Sequence, residues 1–179
     1  MNGEEKLAAA RERVVDAVSH NMNLYGVSDS IGRLYGMLYF QDHPMTLDEM
    51  KEELGMSKTS MSTSVRTLME LKMVDKVWRK GVRKDLYKAE DDWYTNFFDF
   101  FDIKWRAAVS DNIQAIQKSL KELNELAVAE DADEDIRVLA ERDIEKLQEA
   151  LHYYDWIIRL IDSFATKEIF NFIPPVKPE

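Results

Sequence analysis

The sequence predicts a mainly α-helical protein with a small β-hairpin wing: a winged helix-turn-helix combined with long dimerisation helices. Two short amphipathic helices flank a glycine between residues 46 and 72, and two strand-like segments follow them. Beyond residue 91, apolar residues recur at steps of three and four over two long stretches. We therefore expect an N-terminal helix contributing to dimerisation in residues 1–27, the winged helix-turn-helix in 28–90, and a long antiparallel helical hairpin for dimerisation in 91–179.

The composition excludes several kinds of site. The chain of 179 residues has no cysteine, which excludes a disulfide framework, a thiolate nucleophile and a zinc–cysteine site. Its first residues lack the pattern of a signal peptide, and no apolar run approaches the ~20 residues that span a bilayer. His20, His43 and His152 are scattered without metal-ligand spacing, and no glycine-rich phosphate loop occurs. We expect a cytoplasmic protein that is not an enzyme, with no catalytic residue, metal, cofactor or membrane contact.

Two helices are predicted before residue 45. Residues 4–24 have an amphipathic pattern with four apolar side chains on one side, namely Leu7, Val14, Val18 and Met22. Ser28 is expected to cap a second helix, in which Gly32 and Gly36 lie four residues apart and permit the close approach of a neighbour. Pro44 disfavours helix in the residue before it and so ends this segment.

The next segment has the order of a helix-turn-helix. Thr46 and Glu49 form a Ser/Thr-x-x-Glu capping box, which begins a short helix. Gly55 supplies the positive φ of the turn that ends this helix. Ser57 then caps a second helix over residues 58 to about 72, whose inward stripe is Met61, Val65 and Leu68.

Two strands joined by a basic turn follow the second helix. Alternation predicts strands at residues 74–79 and 83–88, with a turn at Lys80 and Gly81. From residue 57 to residue 88, nine Lys and Arg oppose three Asp and Glu, giving +6 within a chain whose net charge is −10. Because phosphate contacts are electrostatic, this basic segment predicts binding to double-stranded DNA.

The residue types suit two different parts of a DNA duplex. A helix with small hydroxyl side chains fits the major groove, and a basic hairpin suits the phosphate backbone. The predicted DNA-binding residues are Ser57, Lys58, Thr59, Ser60, Ser62, Thr63, Arg66 and Thr67 on the helix, and Arg79, Lys80, Arg83 and Lys84 on the hairpin. The alternative is a solvated strand edge guarded by lysines, with a Ser/Thr-rich helix held by packing alone. The order of capping box, glycine turn, hydroxyl-rich helix and basic hairpin favours DNA binding.

The C-terminal half predicts two long helices. Asp91 or Asp92 is expected to cap the first, which runs from residue 93 to about residue 129 and would be roughly 50 Å long. An acidic turn at residues 130–135 follows, without the glycine and terminal glutamate of a calcium loop. Pro174, Pro175 and Pro178 predict an extended tail. Coiled-coil spacing is carried by Val109, Ile113, Ile116, Leu120, Leu123 and Ala127 in the first helix, and by Ala140, Ile144, Leu147, Leu151, Tyr154, Ile158, Ile161 and Ala165 in the second.

These apolar stripes predict a homodimer. A twofold dimer presents the DNA-binding surface twice, matching two half-sites about one helical turn (~34 Å) apart. The alternative is that the same stripes pack against each other within one chain, as an intramolecular bundle.

Aromatic residues are concentrated just after the predicted hairpin, where residues 93–105 read WYTNFFDFFDIKW. Aromatic side chains occur on more than one side of this helix, and the helix from Ser28 adds Tyr35 and Tyr39. Together such rings would make a cage for a quaternary ammonium group, held by cation–π attraction. Asp99 and Asp102 lie nearby and would add negative charge or be solvated. The alternative is that the rings are ordinary core.

Five stretches closely resemble GbsR-type bacterial transcriptional repressors. They are NMNLYG (21–26), GRLYG (32–36), MTLDEM (45–50), MSKTSMSTSVR (56–66) and VWRKGVRKDLY (77–87). These repressors are MarR-like winged-helix proteins that control osmoprotectant genes. The resemblance implies a dimeric repressor that binds a DNA operator and governs synthesis of glycine betaine from choline, or import of related compounds.

The resemblance also implies a small quaternary-ammonium effector. In the family choline is an inducer and glycine betaine can act oppositely, and MarR-like folds generally bind effectors between the DNA-binding part and the dimer helices. The aromatic cage is then expected to use Tyr35, Tyr39, Tyr94, Phe97, Phe98 and Trp105. A MarR-like regulator answering to another small molecule, and a helical dimer adaptor that does not bind DNA, remain the alternatives.

Overall fold

The computed structural model of the chain describes residues 2–130 and 132–176 and confirms a mainly helical fold with one β-hairpin. The chain divides into two compact units, the first ending at Phe100 and the second beginning at Phe101. Pro178, placed in the predicted tail, lies outside the described residues, as does Asp131 of the acidic turn. In chain order the elements are α1 (Gly3–Asn21), α2 (Asp29–Tyr39), α3 (Leu47–Leu54), α4 (Lys58–Glu70), β1 (Val74–Val77), β2 (Leu86–Ala89), α5 (Trp93–Ala127) and α6 (Glu134–Ala165).

Helix α1 packs closely on α2 through the two glycines. A Cβ atom added at Gly32 would lie 2.7 Å from the Cα of Ser19, and one added at Gly36 would lie 3.1 Å from a methyl carbon of Val15. The hydroxyl of Ser19 also donates a hydrogen bond to the Asp29 carbonyl at 2.6 Å. The predicted close approach at these glycines is therefore confirmed.

The apolar face predicted for α1 was partly wrong. Val15, Ser19 and Met22 are buried, whereas Leu7 and Val14 are 54% and 42% exposed. Because Gly32 and Gly36 have no side chains, α2 presents a shallow surface there. That surface accommodates Val15 and Ser19 of α1, each of which follows a residue that was predicted to be buried. The buried face is thus chosen by the shape of its partner and not by the count of apolar residues.

The helix-turn-helix has the predicted local chemistry. The hydroxyl of Thr46 accepts from the Glu49 amide, and the Glu49 carboxylate accepts from the Thr46 amide, which completes the capping box. Gly55 ends α3 with a φ of 64°, and the hydroxyl of Ser57 caps α4 by accepting from the Ser60 amide at 3.1 Å. Beneath these helices the fully buried core includes Met50, Met61, Val65 and Leu68.

The hairpin is shorter than the alternation predicts. The strands pair antiparallel only from Val74↔Ala89 to Val77↔Leu86, so residues 78–85 form a loop. Strand residues on the buried side pack on the core, but residues 78–85 are all exposed. With no apolar surface beneath the loop, burial does not offset the entropy of extending the ladder. We call residues 74–89, the two strands with this loop, the wing.

The wing is joined to the rest of the first unit through β2, and the residues that flank the wing are fixed at two further places. The amide and carbonyl of Met45 exchange hydrogen bonds of 2.9 Å and 2.8 Å with the backbone of Tyr87 in β2. Lys72, between α4 and β1, adopts a left-handed φ of 55°, and its ammonium group lies 2.9 Å from the Asp99 carboxylate in α5. The Glu90 amide also donates to the Met73 carbonyl at 2.9 Å. The first unit thus holds the wing by backbone bonds as well as by side chains.

The second unit is a helical hairpin. Arg106 pairs with Asp162, and the Asn112 amide donates to the Tyr154 hydroxyl, so early residues of α5 meet late residues of α6 in an antiparallel arrangement. Its buried centre is Val109, Ile157 and Ile161. The predicted stripe of α5 is buried or half-buried at Val109, Ile113 and Ala127, but in α6 Ala165 is exposed and Phe164 is buried in its place. Strict heptad spacing therefore does not predict that the buried position moves from residue 165 to residue 164 at the end of α6.

Candidate nucleic-acid interface

The outward face of α4 carries the hydroxyl groups and one arginine. Lys58, Thr59, Ser60, Thr63 and Arg66 are exposed, and Ser62 and Thr67 are half-buried. The hydroxyls of Thr63 and Thr67 donate to the helix carbonyls four residues earlier, at 3.1 Å and 3.2 Å, which leaves their oxygens able to accept. Within the described chain, the side chains of Thr59, Ser62 and Arg66 make no hydrogen bond or ion pair. This face therefore offers both donors and acceptors to a ligand.

A single carboxylate joins the wing to the start of α4. Asp48 of α3 accepts from the Lys84 ammonium at 2.8 Å and lies 3.4 Å from the ammonium of Lys58. The hydrogen bonds from Lys84 and then from Lys58 hold the pKa of Asp48 below its ordinary value, and Asp48 in turn raises the pKa of Lys84. Lys58 and Lys84, two of the predicted DNA-binding residues, are thus paired with a carboxylate of the protein itself.

The tip of the wing carries the remaining cations. The Val82 amide donates to the Arg79 carbonyl at 3.1 Å, closing a turn in which Gly81 has a φ of 85°, as predicted for a glycine at this turn. Arg79, Lys80 and Arg83 are exposed, and no ion pair involves them in the part of the chain that the structure describes. Lys76, by contrast, pairs with Asp85 at 2.8 Å. Three of the four predicted wing cations are therefore available to an external anion.

A second feature of the first unit is an aromatic cluster. The ring centroids of Tyr35 and Tyr39 lie 6.3 Å apart, and the Trp93 ring lies 6.0 Å from Tyr35 and 5.1 Å from Tyr39. The indole N–H of Trp93 donates to the Tyr39 hydroxyl at 3.1 Å. The structure therefore brings together two of the predicted cage residues with Trp93, which was not among the predicted residues.

The polar groups behind this cluster are deeply buried. The Tyr35 hydroxyl donates to the Glu90 carbonyl at 3.0 Å and accepts from the Asn96 amide nitrogen at 2.8 Å. Tyr35 is 0% exposed, and burial raises the pKa of its hydroxyl well above its ordinary value. The Oδ1 atom of Asn96 is buried and has no hydrogen-bond partner among the described residues. Tyr35 and Asn96 are thus the inner wall of the cluster, and Trp93, 45% exposed, is its open side.

The other predicted cage residues lie elsewhere along α5. The Phe97 and Phe98 rings contact each other at 6.1 Å, and Tyr94 is 46% exposed. Trp105 belongs to the second unit, where it stacks on Phe101 at a centroid distance of 5.3 Å. Their part in a ligand site stays a prediction.

Comparison with known proteins identifies the family. Residues 93–171 match the model of the GbsR family transcriptional regulator, C-terminal helical hairpin. The HTH-type transcriptional repressor GbsR of Bacillus subtilis (strain 168) is 45% identical over 165 residues, which cover 92% of this chain and 91% of that protein. The chain belongs to the GbsR family of transcriptional regulators.

A second relative agrees with this assignment, and a solved structure shows the fold. The HTH-type transcriptional repressor OpcR of Bacillus subtilis (strain 168) is 38% identical over 172 residues, covering 94% of this chain and 91% of that protein. A solved structure of a transcriptional regulator, only 15% identical, has the same fold, with a TM-score of 0.56 over 88% of this chain and 99% of that one. The resemblance read from the motifs is confirmed.

Membership of the GbsR family decides the class of activity. The chain is a DNA-binding transcriptional regulator and not an enzyme, because the family and its named relatives are regulators. Among the described residues, no helix has the length and apolar character to cross a membrane. The same residues contain no group of three or more His, Asp or Glu that could hold a metal ion.

Proposed function

We propose that this GbsR-family regulator represses transcription by docking α4 in the major groove of an operator and laying the wing along the adjacent backbone. The observation that carries the proposal is the exposure of Arg79, Lys80 and Arg83, which have no ion pair within the described chain, in the same unit as the hydroxyl-bearing face of α4. In a chain with a net charge of −10, this is the surface that attracts a polyanion, and the acidic remainder repels it. The eight helix residues (57–67) and four wing residues predicted from the sequence are the proposed contacts.

The test measures the salt dependence of DNA affinity. The probe is a duplex recovered from a random-sequence pool by the wild-type protein, titrated at several salt concentrations. Removing one phosphate-binding cation should reduce the slope of log K against log[salt] by about 0.9. Alanine at Arg79, Lys80 and Arg83 should therefore weaken binding and flatten this slope. The matched control replaces Lys104, Lys118 and Lys121, three exposed lysines of α5, and an equal effect from the control would contradict the proposed surface.

We further propose that the regulator acts as a MarR-like homodimer. Both units support this, since each carries apolar side chains that its own fold leaves exposed. In α1 these are Leu7 and Val14, and in the hairpin they are Leu126, Ile136, Val138, Leu139, Tyr153 and Trp156. A twofold dimer covers such faces and places two copies of α4 on neighbouring half-sites. Sedimentation at micromolar concentration should give the dimer mass, and a monomer there would reject this proposal.

The proposed effector is a small quaternary-ammonium compound, choline or glycine betaine, and the controlled genes serve osmoprotectant synthesis or uptake. Support comes from Tyr35, Tyr39 and Trp93, whose rings lie within 6.3 Å of one another and leave Trp93 partly exposed. Such rings attract a quaternary ammonium group, which has no N–H to donate. Because an operator is chromosomal, the protein is placed in the cytoplasm.

Ligand titration tests the effector directly. Tryptophan fluorescence is followed as choline, glycine betaine and the uncharged isostere 3,3-dimethylbutan-1-ol are added. A saturable response to a cationic ligand and none to the isostere supports the cage, and Trp93→Ala should abolish it while Trp156→Ala should not. An equal response to all three compounds, or to none, would favour a MarR-like regulator with another ligand.

A further inference from the structure

Trp78 is the most unusual side chain of the wing. It directly follows Val77, the last paired residue of β1, and its side chain is 82% exposed. The strand ladder stops before it, so neither the sheet nor the core covers the indole. Val82, across the turn, is also 39% exposed. The indole and Val82 together form a small exposed apolar patch on the wing, and such a patch is a candidate contact for a partner.

The surroundings of Trp78 indicate the chemistry of that partner. Together with Val82 and neighbouring residues it lines a groove of about 550 Å³ on the wing. The charged residues around this groove are Lys76, Arg79, Arg83, Lys84 and Asp85, so cations outnumber anions. Arg79 and Arg83 have no internal ion pair among the described residues. An apolar ring and two guanidinium groups without an internal ion pair, lining one groove, suit a ligand that has negative charge and apolar surface together.

We propose that Trp78 inserts its indole against the deoxyribose walls of the DNA minor groove when the wing docks. The inference rests on the proposed function, because it requires α4 and the wing to face the operator. Minor-groove-binding proteins combine arginines with apolar side chains that press on sugars and base steps, and the tip of the wing supplies both. The indole N–H can also donate to the acceptors at the floor of that groove, which every base pair presents.

This role differs physically from that of the neighbouring cations. A neutral ring releases no counterions, so its contribution to affinity does not depend on salt. Its contact is with sugars, which are common to all sequences, and it therefore strengthens binding wherever the wing reaches the groove. Trp78 thus fixes the depth at which the wing sits, and Arg79 and Arg83 hold the flanking phosphates.

The experiment compares three variants on the selected duplex. Trp78→Ala should weaken binding by about tenfold or more, the loss expected when a large apolar side chain is no longer buried, and leave the salt slope unchanged. Trp78→Phe should retain most of the affinity because it keeps an apolar ring. Leu24→Ala, which truncates another exposed apolar residue (79%) of the same unit, should bind as the wild type does. Urea unfolding of each variant checks that the fold is intact.

A spectroscopic measurement gives an independent result. Acrylamide quenching of tryptophan emission should fall when DNA is added to the wild type, and Trp78→Phe should lack this component. Unchanged affinity in Trp78→Ala, or a salt slope flattened as in Arg79→Ala, would overturn the inference while leaving the proposed function standing. Failure of the wild type to select any duplex would instead reject the proposed function itself.

Discussion

The carboxylate of Asp48 in α3 accepts a hydrogen bond from the ammonium group of Lys84 in the wing, at 2.8 Å. The same carboxylate lies 3.4 Å from the ammonium of Lys58, at the first turn of α4. Asp48 therefore occupies, within the protein, the position that a phosphate would take between these two lysines. In the proposed complex, DNA phosphates compete with this carboxylate for the two lysines.

Replacing Asp48 by Asn should increase affinity for DNA of any sequence. The substitution removes the internal competitor for Lys58 and Lys84 and a negative charge beside the bound phosphates, so we expect a roughly two- to tenfold tighter complex. Binding to a non-specific duplex should gain as much as binding to the selected one, because the freed lysines contact phosphates that every duplex carries. Fluorescence anisotropy with both duplexes measures this.

The control for this prediction is Glu53→Gln, which removes an equal charge from the same helix at an exposed position. If both variants tightened binding equally, the effect would be one of net charge and not of the Asp48 contacts.

Alanine at Gly32 should destabilise the first unit more than alanine at Gly36. The added methyl at Gly32 meets backbone at 2.7 Å, which forces α1 away, and we expect a loss of about 1–3 kcal/mol in the free energy of unfolding. At Gly36 the closest atoms are a methyl carbon and the Cα of Val15, at 3.1 Å and 3.2 Å, so α1 has to move by less than at Gly32. Urea unfolding followed by circular dichroism gives the comparison.

Gly3→Ala serves as the reference, since no atom lies within 4 Å of its added Cβ. It should be neutral or slightly stabilising because alanine favours helix over glycine. A Gly32→Ala protein as stable as this reference would show that α1 does not pack as described.

The Tyr35→Phe variant should lose less stability than the wild type as the pH becomes alkaline. The pKa of Tyr35 is raised by burial above its ordinary 10.0, so the folded state holds this proton more tightly than the unfolded state does. Its contribution is fully present below pH 10 and is lost as pH rises toward the folded-state pKa. The Tyr35→Phe protein has no hydroxyl to ionise and therefore does not lose this stability at alkaline pH. At neutral pH it should be about 1–2 kcal/mol less stable than the wild type, because the hydrogen bonds of the hydroxyl are missing.

Urea midpoints measured from pH 8 to pH 11 test this prediction, with Tyr153→Phe, at a half-exposed tyrosine of α6, as the control. Identical alkaline profiles for wild type and Tyr35→Phe would contradict it.

Ile161→Ala should lower the stability of the helical hairpin by about 2–5 kcal/mol, the usual cost of a cavity at a fully buried isoleucine. Ile161 is 0% exposed and belongs to the same buried centre as Val109 and Ile157. Thermal unfolding should show the loss, and Val128→Ala, at a site 80% exposed, should not. An unaffected melting temperature for Ile161→Ala would mean that this centre does not hold α5 against α6.

Features governed by neighbouring residues were predictable. The capping box of Thr46 and Glu49, the positive φ of Gly55 and the cap at Ser57 each depend on atoms within four residues, and all are present. Asp92 likewise caps α5, accepting from the Tyr94 amide at 2.9 Å. Local rules of hydrogen bonding decide such positions. Ser28 is an exception: it stands at the N-cap position of α2 as predicted, but its hydroxyl pairs with the Ser30 hydroxyl and makes no capping bond.

Features governed by a distant partner were harder to predict. Val14 and Val15 are equally apolar, and only the surface of α2 selects Val15 as the buried one. Alternation continues through Trp78 and Arg79, but pairing ends at Val77, where the underlying core ends. In the aromatic cluster, helical spacing shows only which rings share a side of α5, and Trp93 was therefore not predicted. Its contact with Tyr39 depends on where α2 lies.

The backbone bonds between Met45 and Tyr87 have a mechanical consequence. They tie the second strand of the wing to the residue just before the cap of α3, and Asp48 adds a side-chain link one turn further on. Helix α3 and the wing cannot tilt separately without breaking these hydrogen bonds. We therefore expect α3 and the wing to move together, so an effector of the proposed kind would change where both of them meet the duplex.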